Sequence, residues 1–182
     1  MLVPFALAGL FAHCAPAVGP VTMSAIVAYE SGARPNAIGD NTARRSYDPP
    51  SQKDAILLGA ELLRRGHNID VGYAQVNSRN FVAYGLTIES AFDPCTNVAT
   101  GARILQAAYA GTARRYGPGQ VALVHALSAY NSGSYWSGLG YAGAVFATAR
   151  QLHYQGGQRT RPRSGRAVPF RPRPVWKSGA PS

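Results

Sequence analysis

Apolar residues recur at helical spacing along most of the chain, and the stretches between them are rich in glycine, proline and small polar residues. Residues 3 to 13 form a short apolar helix, broken by Ala15-Pro16-Ala17-Val18-Gly19-Pro20. A second helix opens at Pro20 or Val21 and runs to about Ser31, with Met23, Ile26, Val27 and Glu30 on one side and Gly32 and Pro35 as stops. Residues 36 to 51 read as a loop or small hairpin. A helix from about Gln52 to Arg65 turns Ile56, Leu57, Ala60 and Leu63 inward and stops at Gly66. The segment Asp70-Val71-Gly72-Tyr73-Ala74-Gln75-Val76-Asn77 fits neither an amphipathic helix nor a clean strand. Long helices are predicted over 95–116 and 119–131, and a last one over 140–154. The pattern is that of a mainly α domain, all-helical or helix-dominated α+β, without an internal repeat or sustained heptad.

One polar position breaks this pattern. Glu30 is a carboxylate in an apolar helix, and a charge that is about to be buried must find partners or stay protonated. The chain has only eight acidic residues, so few others compete for acid or base chemistry.

Composition narrows the possible partners. The 182 residues suit one domain over 1–155, with a basic Pro/Arg-rich tail over 156–182 that is expected to be disordered. The net charge of +10 is uneven: the tail holds Arg159, Arg161, Arg163, Arg166, Arg171, Arg173 and Lys177 and no acid. Without those seven, eleven basic residues face eight acidic ones, so the domain is only mildly basic and a specific nucleic-acid partner is not expected. His13, His67, His125 and His153 form no close pair, so neither a metal nor another cofactor is expected. Cys14 and Cys95 lack zinc-ligand spacing and read either as one long-range disulfide or as two buried thiols. Leu2 to Ala12 could be a signal h-region, but no Lys or Arg precedes it, which favours a domain helix. No run of 18 apolar residues exists to span a membrane.

Three segments place polar residues in apolar or glycine-rich surroundings where an element ends: Glu30-Ser31, Gly72-Tyr73-Ala74-Gln75-Val76-Asn77, and Ala129-Tyr130-Asn131-Ser132-Gly133. Each alone is a weak signal, since a buried Tyr or Asn is usually a structural hydrogen-bonder. In this order and spacing they resemble the lytic transglycosylases of the lysozyme-like superfamily, and most closely the VirB-type transglycosylases of type IV secretion and conjugation systems. The first motif corresponds to Glu30-Ser31-Gly32-Ala33-Arg34-Pro35-Asn36-Ala37, the second to Gly72-Tyr73-Ala74-Gln75, and the third, Ala-Tyr-Asn-x-Gly, to Ala129 through Gly133. Cys14-Ala15-Pro16 and Phe92-Asp93-Pro94-Cys95, with Asn97, add to the likeness. They imply a Cys14–Cys95 disulfide and a retained N-terminal helix.

The resemblance implies a lysozyme-like fold around a substrate cleft and cleavage of the peptidoglycan MurNAc-GlcNAc β-1,4 bond to 1,6-anhydroMurNAc. The implied setting is a periplasmic monomer that opens the wall for a type IV secretion apparatus. Hydrolytic glycosidases generally need two carboxylates, and here the motifs supply only Glu30; Asp40, Asp48 and Asp70 lie in or beside loops outside them. One carboxylate is enough if the substrate brings its own nucleophile. Glu30 would protonate the glycosidic oxygen and later accept the proton of the attacking hydroxyl, with an apolar helix face raising its pKa above about 4.3. Ser31 would orient Glu30 or bind sugar, and Tyr130 would stabilise the N-acetyl-derived intermediate. Gln75, Asn131, Tyr73 and Asn77 would hold substrate, although Asn77 is equally suited to cap a helix starting at Ser78. Tyr135, Trp136 and Tyr141 would stack on sugar rings or pack the core. The competing readings are a two-carboxylate muramidase or chitinase-like hydrolase, a non-catalytic wall-binding module, and a nucleic-acid binder acting through the tail.

Overall fold

The computed structural model describes residues 5–156, so the predicted tail lies almost wholly outside the described residues. Helices α1 (Phe5–Cys14) and α2 (Pro20–Glu30) lead into strands β1 (Ile38–Asp40) and β2 (Arg45–Tyr47), then α3 (Gln52–Arg64) and strands β3 (Ile69–Val71) and β4 (Val76–Asn77). A 3₁₀ turn (Ser78–Asn80) and the short helices α4 (Phe81–Tyr84) and α5 (Ile88–Ala91) precede the long helices α6 (Pro94–Tyr116), α7 (Gln120–Ser132) and α8 (Leu139–Gly156). The strands form one antiparallel sheet in the order β2-β1-β3-β4, with Ile38 opposite Val71 and Asp70 opposite Asn77.

Local chemistry sets the boundaries. Pro20 and Pro94 open α2 and α6, where a missing N–H costs nothing. Asp93 caps α6 by accepting from the Thr96 N–H at 2.8 Å, and Ser51 caps α3 by accepting from Asp54. The core is built on Met23, Ile26 and Val27 of α2, all fully buried, and α2 packs against α1 and α8. Full burial of each apolar side chain of this size contributes roughly 1.5–3 kcal/mol.

Two expectations are corrected. Residues 70–77 are not irregular throughout: their two ends are β3 and β4, strands of two or three residues that are too short to show an alternating pattern. The inward face of α3 is Ala55, Gly59 and Leu62; Leu57 is 61% exposed and Ala60 is also exposed. Small residues set this face because α5 approaches closely: a Cβ on Gly59 would stand 2.9 Å from an Ile88 side-chain carbon. The sequence also did not reveal α4 and α5, each only four residues long.

Cys14 at the end of α1 is bonded to Cys95 in the first turn of α6, with Cα atoms 5.3 Å apart across 81 positions of sequence. A crosslink over so long a loop stabilises a fold by roughly 2–5 kcal/mol. Reduction is therefore expected to lower the urea midpoint, and an unchanged midpoint would show that helix packing alone fixes α1.

Candidate active site

The three motifs meet where α2, the β3–β4 turn, α7 and α8 come together. Glu30 is the last residue of α2, half-buried beside its apolar face. Beyond it the chain reverses through Gly32 and Ala33, both at positive φ, with the Ala33 N–H donating to the Val27 carbonyl. Ala33 at φ +61° and Gln75 at φ +48° are two of the three non-glycine positive-φ residues described, and both belong to the motifs. Strain of this kind persists only where the surroundings over-determine the backbone.

The Tyr141 hydroxyl donates to Glu30 Oε1 at 2.5 Å. Burial pushes the Tyr141 phenol well above its ordinary range, so the proton stays on tyrosine and Glu30 accepts. The Tyr141 ring is fixed by Tyr29, edge-on at 5.1 Å, and by Tyr130, stacked at 6.3 Å. Of the two sequence readings of Tyr141, the packing one holds, because the residue is 93% buried. Its hydrogen bond to a residue 111 positions away left no sequence signal.

The β3–β4 turn is held from three sides. Ser31 Oγ lies 2.9 Å from the Tyr73 carbonyl and 3.1 Å from that of Val27, so it ties α2 to the turn rather than facing Glu30 or solvent. Tyr130 Oη donates to the Ala74 carbonyl at 2.8 Å, which joins the third motif to the second. Asn97, fully buried on α6, accepts from the Ala74 N–H and donates to the carbonyls of Val71 and Ala91. Only glycine fits at two positions here. A Cβ on Gly72 would stand 2.5 Å from Asn97, and one on Gly101 would stand 2.6 Å from Ala74.

Gln75 and Asn77 turn into the protein. Gln75 Nε2 donates to the carbonyls of Ala37 and Gly72, lacing the first motif to the second. Asn77 caps the 3₁₀ turn by accepting from the Arg79 N–H, and it donates to Asp70. Of the predicted substrate-binding residues, Tyr73 and Asn131 keep partly exposed side chains. Tyr135 packs beside Gly111, whereas Trp136 is 53% exposed and stands edge-on to His125.

The other seven acids all have structural partners. Asp40 is fully buried, meets His67 at 2.7 Å and accepts from the Thr42 and Ala43 amides. Asp48 pairs with Arg34. Asp54 and Asp93 serve helix starts, Glu61 binds Arg64 and Arg65, and Glu89 is held low by a hydrogen bond from Thr87. Asp70 accepts from Asn41 and Asn77, each at 2.8 Å, yet burial pushes its carboxyl up to about 6. The folded protein therefore holds this proton more tightly than the unfolded chain does. Asp70 favours folding most at low pH, and about 3 kcal/mol is lost as pH rises from about 4 to about 6. Urea unfolding across that window should show a downward slope with rising pH that Asp70→Asn flattens; equal slopes would contradict the assignment.

Among the described residues no group of three His, Cys, Asp or Glu side chains is arranged to hold a metal ion. What the cluster offers is a single carboxyl group, oriented by a buried tyrosine, on a rigid tripod of motif backbones. The transglycosylase SLT domain family matches residues 10–137, a span containing all three motifs. The chain belongs to this family.

The SLT domain here is 39% identical over 142 residues to "Protein virB1" of Agrobacterium fabrum, covering 77% of this chain and 58% of that protein. It is 41% identical over 138 residues to "Type IV secretion system protein virB1" of Brucella abortus, covering 75% and 57%. A third relative, "Protein virB1" of Rhizobium radiobacter, is 37% identical over 141 residues. The chain thus spans less than three-fifths of the length of these relatives. No solved structure matches it. The mainly α, lysozyme-like architecture expected from sequence is the one the SLT domain shows, with its small antiparallel sheet. Tyr141 lies four residues past the matched span and completes the Glu30 site from outside it.

Proposed function

We propose that this SLT domain is a peptidoglycan lytic transglycosylase that works in the periplasm and opens the wall for a type IV secretion apparatus. The observation that carries the chemistry is the distribution of carboxylates: seven are committed to caps, ion pairs or buried polar contacts, and Glu30 alone stands at the junction of the motifs. With one carboxyl group, the reaction uses Glu30 in both directions. It first protonates the glycosidic oxygen, breaking the MurNAc-GlcNAc bond while the substrate's N-acetyl oxygen bonds to C1. It then takes the proton of the C6 hydroxyl, whose oxygen displaces the N-acetyl oxygen from C1 and closes the 1,6-anhydro ring. No water enters.

Tyr141 positions Glu30 and stabilises it whenever it is ionised. Tyr73 and Asn131 are the residues we assign to sugar contact. Tyr130, Ser31, Gln75 and Asn77 act by holding the β3–β4 turn, a supporting role in place of the substrate binding expected of Gln75 and Asn77 and the supporting catalytic roles expected of Tyr130 and Ser31. The secretion role rests on the virB1 relatives. Among the described residues no helix is long and apolar enough to cross a membrane.

Purified sacculi incubated with the protein should release muropeptides with anhydro ends, and release of none across several pH values would sink this reading in favour of a binding module. Tyr141→Phe is expected to lower kcat about ten- to hundredfold, the value of a hydrogen bond to a charged group, with little change in KM. Wild-type kcat in that variant would remove Tyr141 from the mechanism.

A further inference from the structure

The loop between α7 and α8 leaves the Glu30 site and returns to it. Asn131, the partly exposed member of the third motif, stands at the end of α7, and Tyr141, which donates to Glu30, stands in the first turn of α8. Trp136 lies midway, five positions from each, so its Cα is within about 18 Å of both even at full chain extension. More than half of its surface is in water. Among the side chains whose burial is described, it is the only exposed Phe, Tyr or Trp.

That exposure is built into a stiff frame. The His125 ring meets the indole edge-on at 4.3 Å and the Tyr116 ring at 6.2 Å, and these two rings stack on each other at 4.6 Å. His125 is fixed in turn: its Nδ1 lies 2.9 Å from the Tyr135 carbonyl, which can only accept, so Nδ1 donates. Ser128 Oγ donates to the Ser134 carbonyl and accepts from the Gly138 amide, each at 2.8 Å, which clamps the two ends of the loop together. Ser134 Oγ accepts from the Trp136 and Ser137 amides. A loop bonded in this way holds its indole in one place, and an aromatic side chain held rigid before binding loses little order when a ligand arrives.

We propose that Trp136 is the stacking platform of an outlying sugar subsite, which holds the glycan strand beyond the bond that Glu30 cleaves; this rests on the reaction proposed above. A pyranose ring in a β-1,4-linked strand has apolar faces of axial C–H bonds and a rim of hydroxyls. The loop offers a matching surface, an indole flanked in sequence by Ser134 and Ser137 and by Gly133 and Gly138. A protein partner or a lipid surface calls for a contiguous apolar patch of roughly a few hundred Å². Leu139 is the only other large apolar side chain exposed between Asn131 and Tyr141, so the surface suits a single ring. Its reach from Asn131 and Tyr141 is that of a strand running on from the cleaved bond.

The test is binding of solubilised, peptide-free glycan strands to the full chain carrying Glu30→Gln, which does not consume them. The Trp136 indole N–H resonance, assigned by its loss in Trp136→Phe, should shift as strands are added, a readout that leaves the native loop in place. Adding Trp136→Ala should raise Kd about tenfold, the value of one aromatic contact, whereas Trp136→Phe should stay within about threefold. With Glu30 restored, Trp136→Ala should raise KM on the same strands by a similar factor and leave kcat unchanged, as expected of a residue that does not touch the reacting atoms. An indole resonance unmoved at saturating strand would overturn the proposal and leave the indole to a protein partner. Equal losses in Trp136→Ala and Trp136→Phe would also overturn it, by showing that packing on His125 and Tyr116 is what matters. The binding arms need no turnover, so the two failures are distinct. A wild-type chain that cleaves nothing would refute the proposed reaction, and cleavage with binding independent of Trp136 would refute the subsite alone.

Discussion

Glu30→Gln is expected to abolish release of soluble muropeptides from purified sacculi, with a loss of about 10²–10⁴-fold or more in kcat, the usual contribution of a positioned general acid or base. The substitution keeps the shape of the side chain and an oxygen for the Tyr141 hydroxyl, so the fold should remain intact. Binding to the wall should also remain, because the amide removes only the proton that is given and taken back. Both halves of the reaction use the same carboxyl group, so no partial reaction should accumulate. If Glu30→Gln retained activity within tenfold of wild type, another carboxylate would have to be the acid. The one with greatest exposure near the first motif is Asp48, paired to Arg34 at 3.2 Å.

Asn97→Ala is expected to produce the largest loss of stability, roughly 3–5 kcal/mol, because three buried backbone groups lose their partner at once. Those groups are the Ala74 N–H and the carbonyls of Val71 and Ala91, at 2.8, 2.9 and 2.8 Å. The same substitution should lower glycan cleavage, since the Asn97 amide fixes the turn whose Tyr73 and Ala74 carbonyls meet Ser31 and Tyr130. Urea denaturation checks the first effect and sacculus digestion the second. A midpoint within about 1 kcal/mol of wild type would mean that water or a backbone shift replaces the amide.

The long helices were legible because their apolar periodicity persists over several turns, and α6 and α7 begin and end within a residue or so of the sequence reading. The sheet was only half legible. A hairpin over 36–51 was expected as one option, but β3 and β4 are so short that pairing across the sheet, not pattern, makes them strands. On α3 the assumption that the larger residues face inward failed, because the neighbouring α5 packs close enough to require Ala55 and Gly59. The structure brings the three motifs together, but the motifs alone did not say what each member does. Gln75, Asn77, Ser31 and Tyr130 are polar residues in apolar settings, which sequence cannot divide into substrate-facing and backbone-holding ones. The structure assigns their visible hydrogen bonds to backbone carbonyls, a backbone amide and Asp70. Tyr141 and Asn97 were each noted in sequence without these roles, because their partners are distant in the chain.

The most direct measurement is digestion of purified sacculi in H₂¹⁸O followed by mass spectrometry of the released muropeptides. If Glu30 works as the only carboxylate and the substrate supplies the nucleophile, the new ends are 1,6-anhydro sugars, one water lighter than hydrolysis products and free of ¹⁸O. New reducing ends carrying one ¹⁸O atom would contradict this and identify a hydrolase with a second catalytic group.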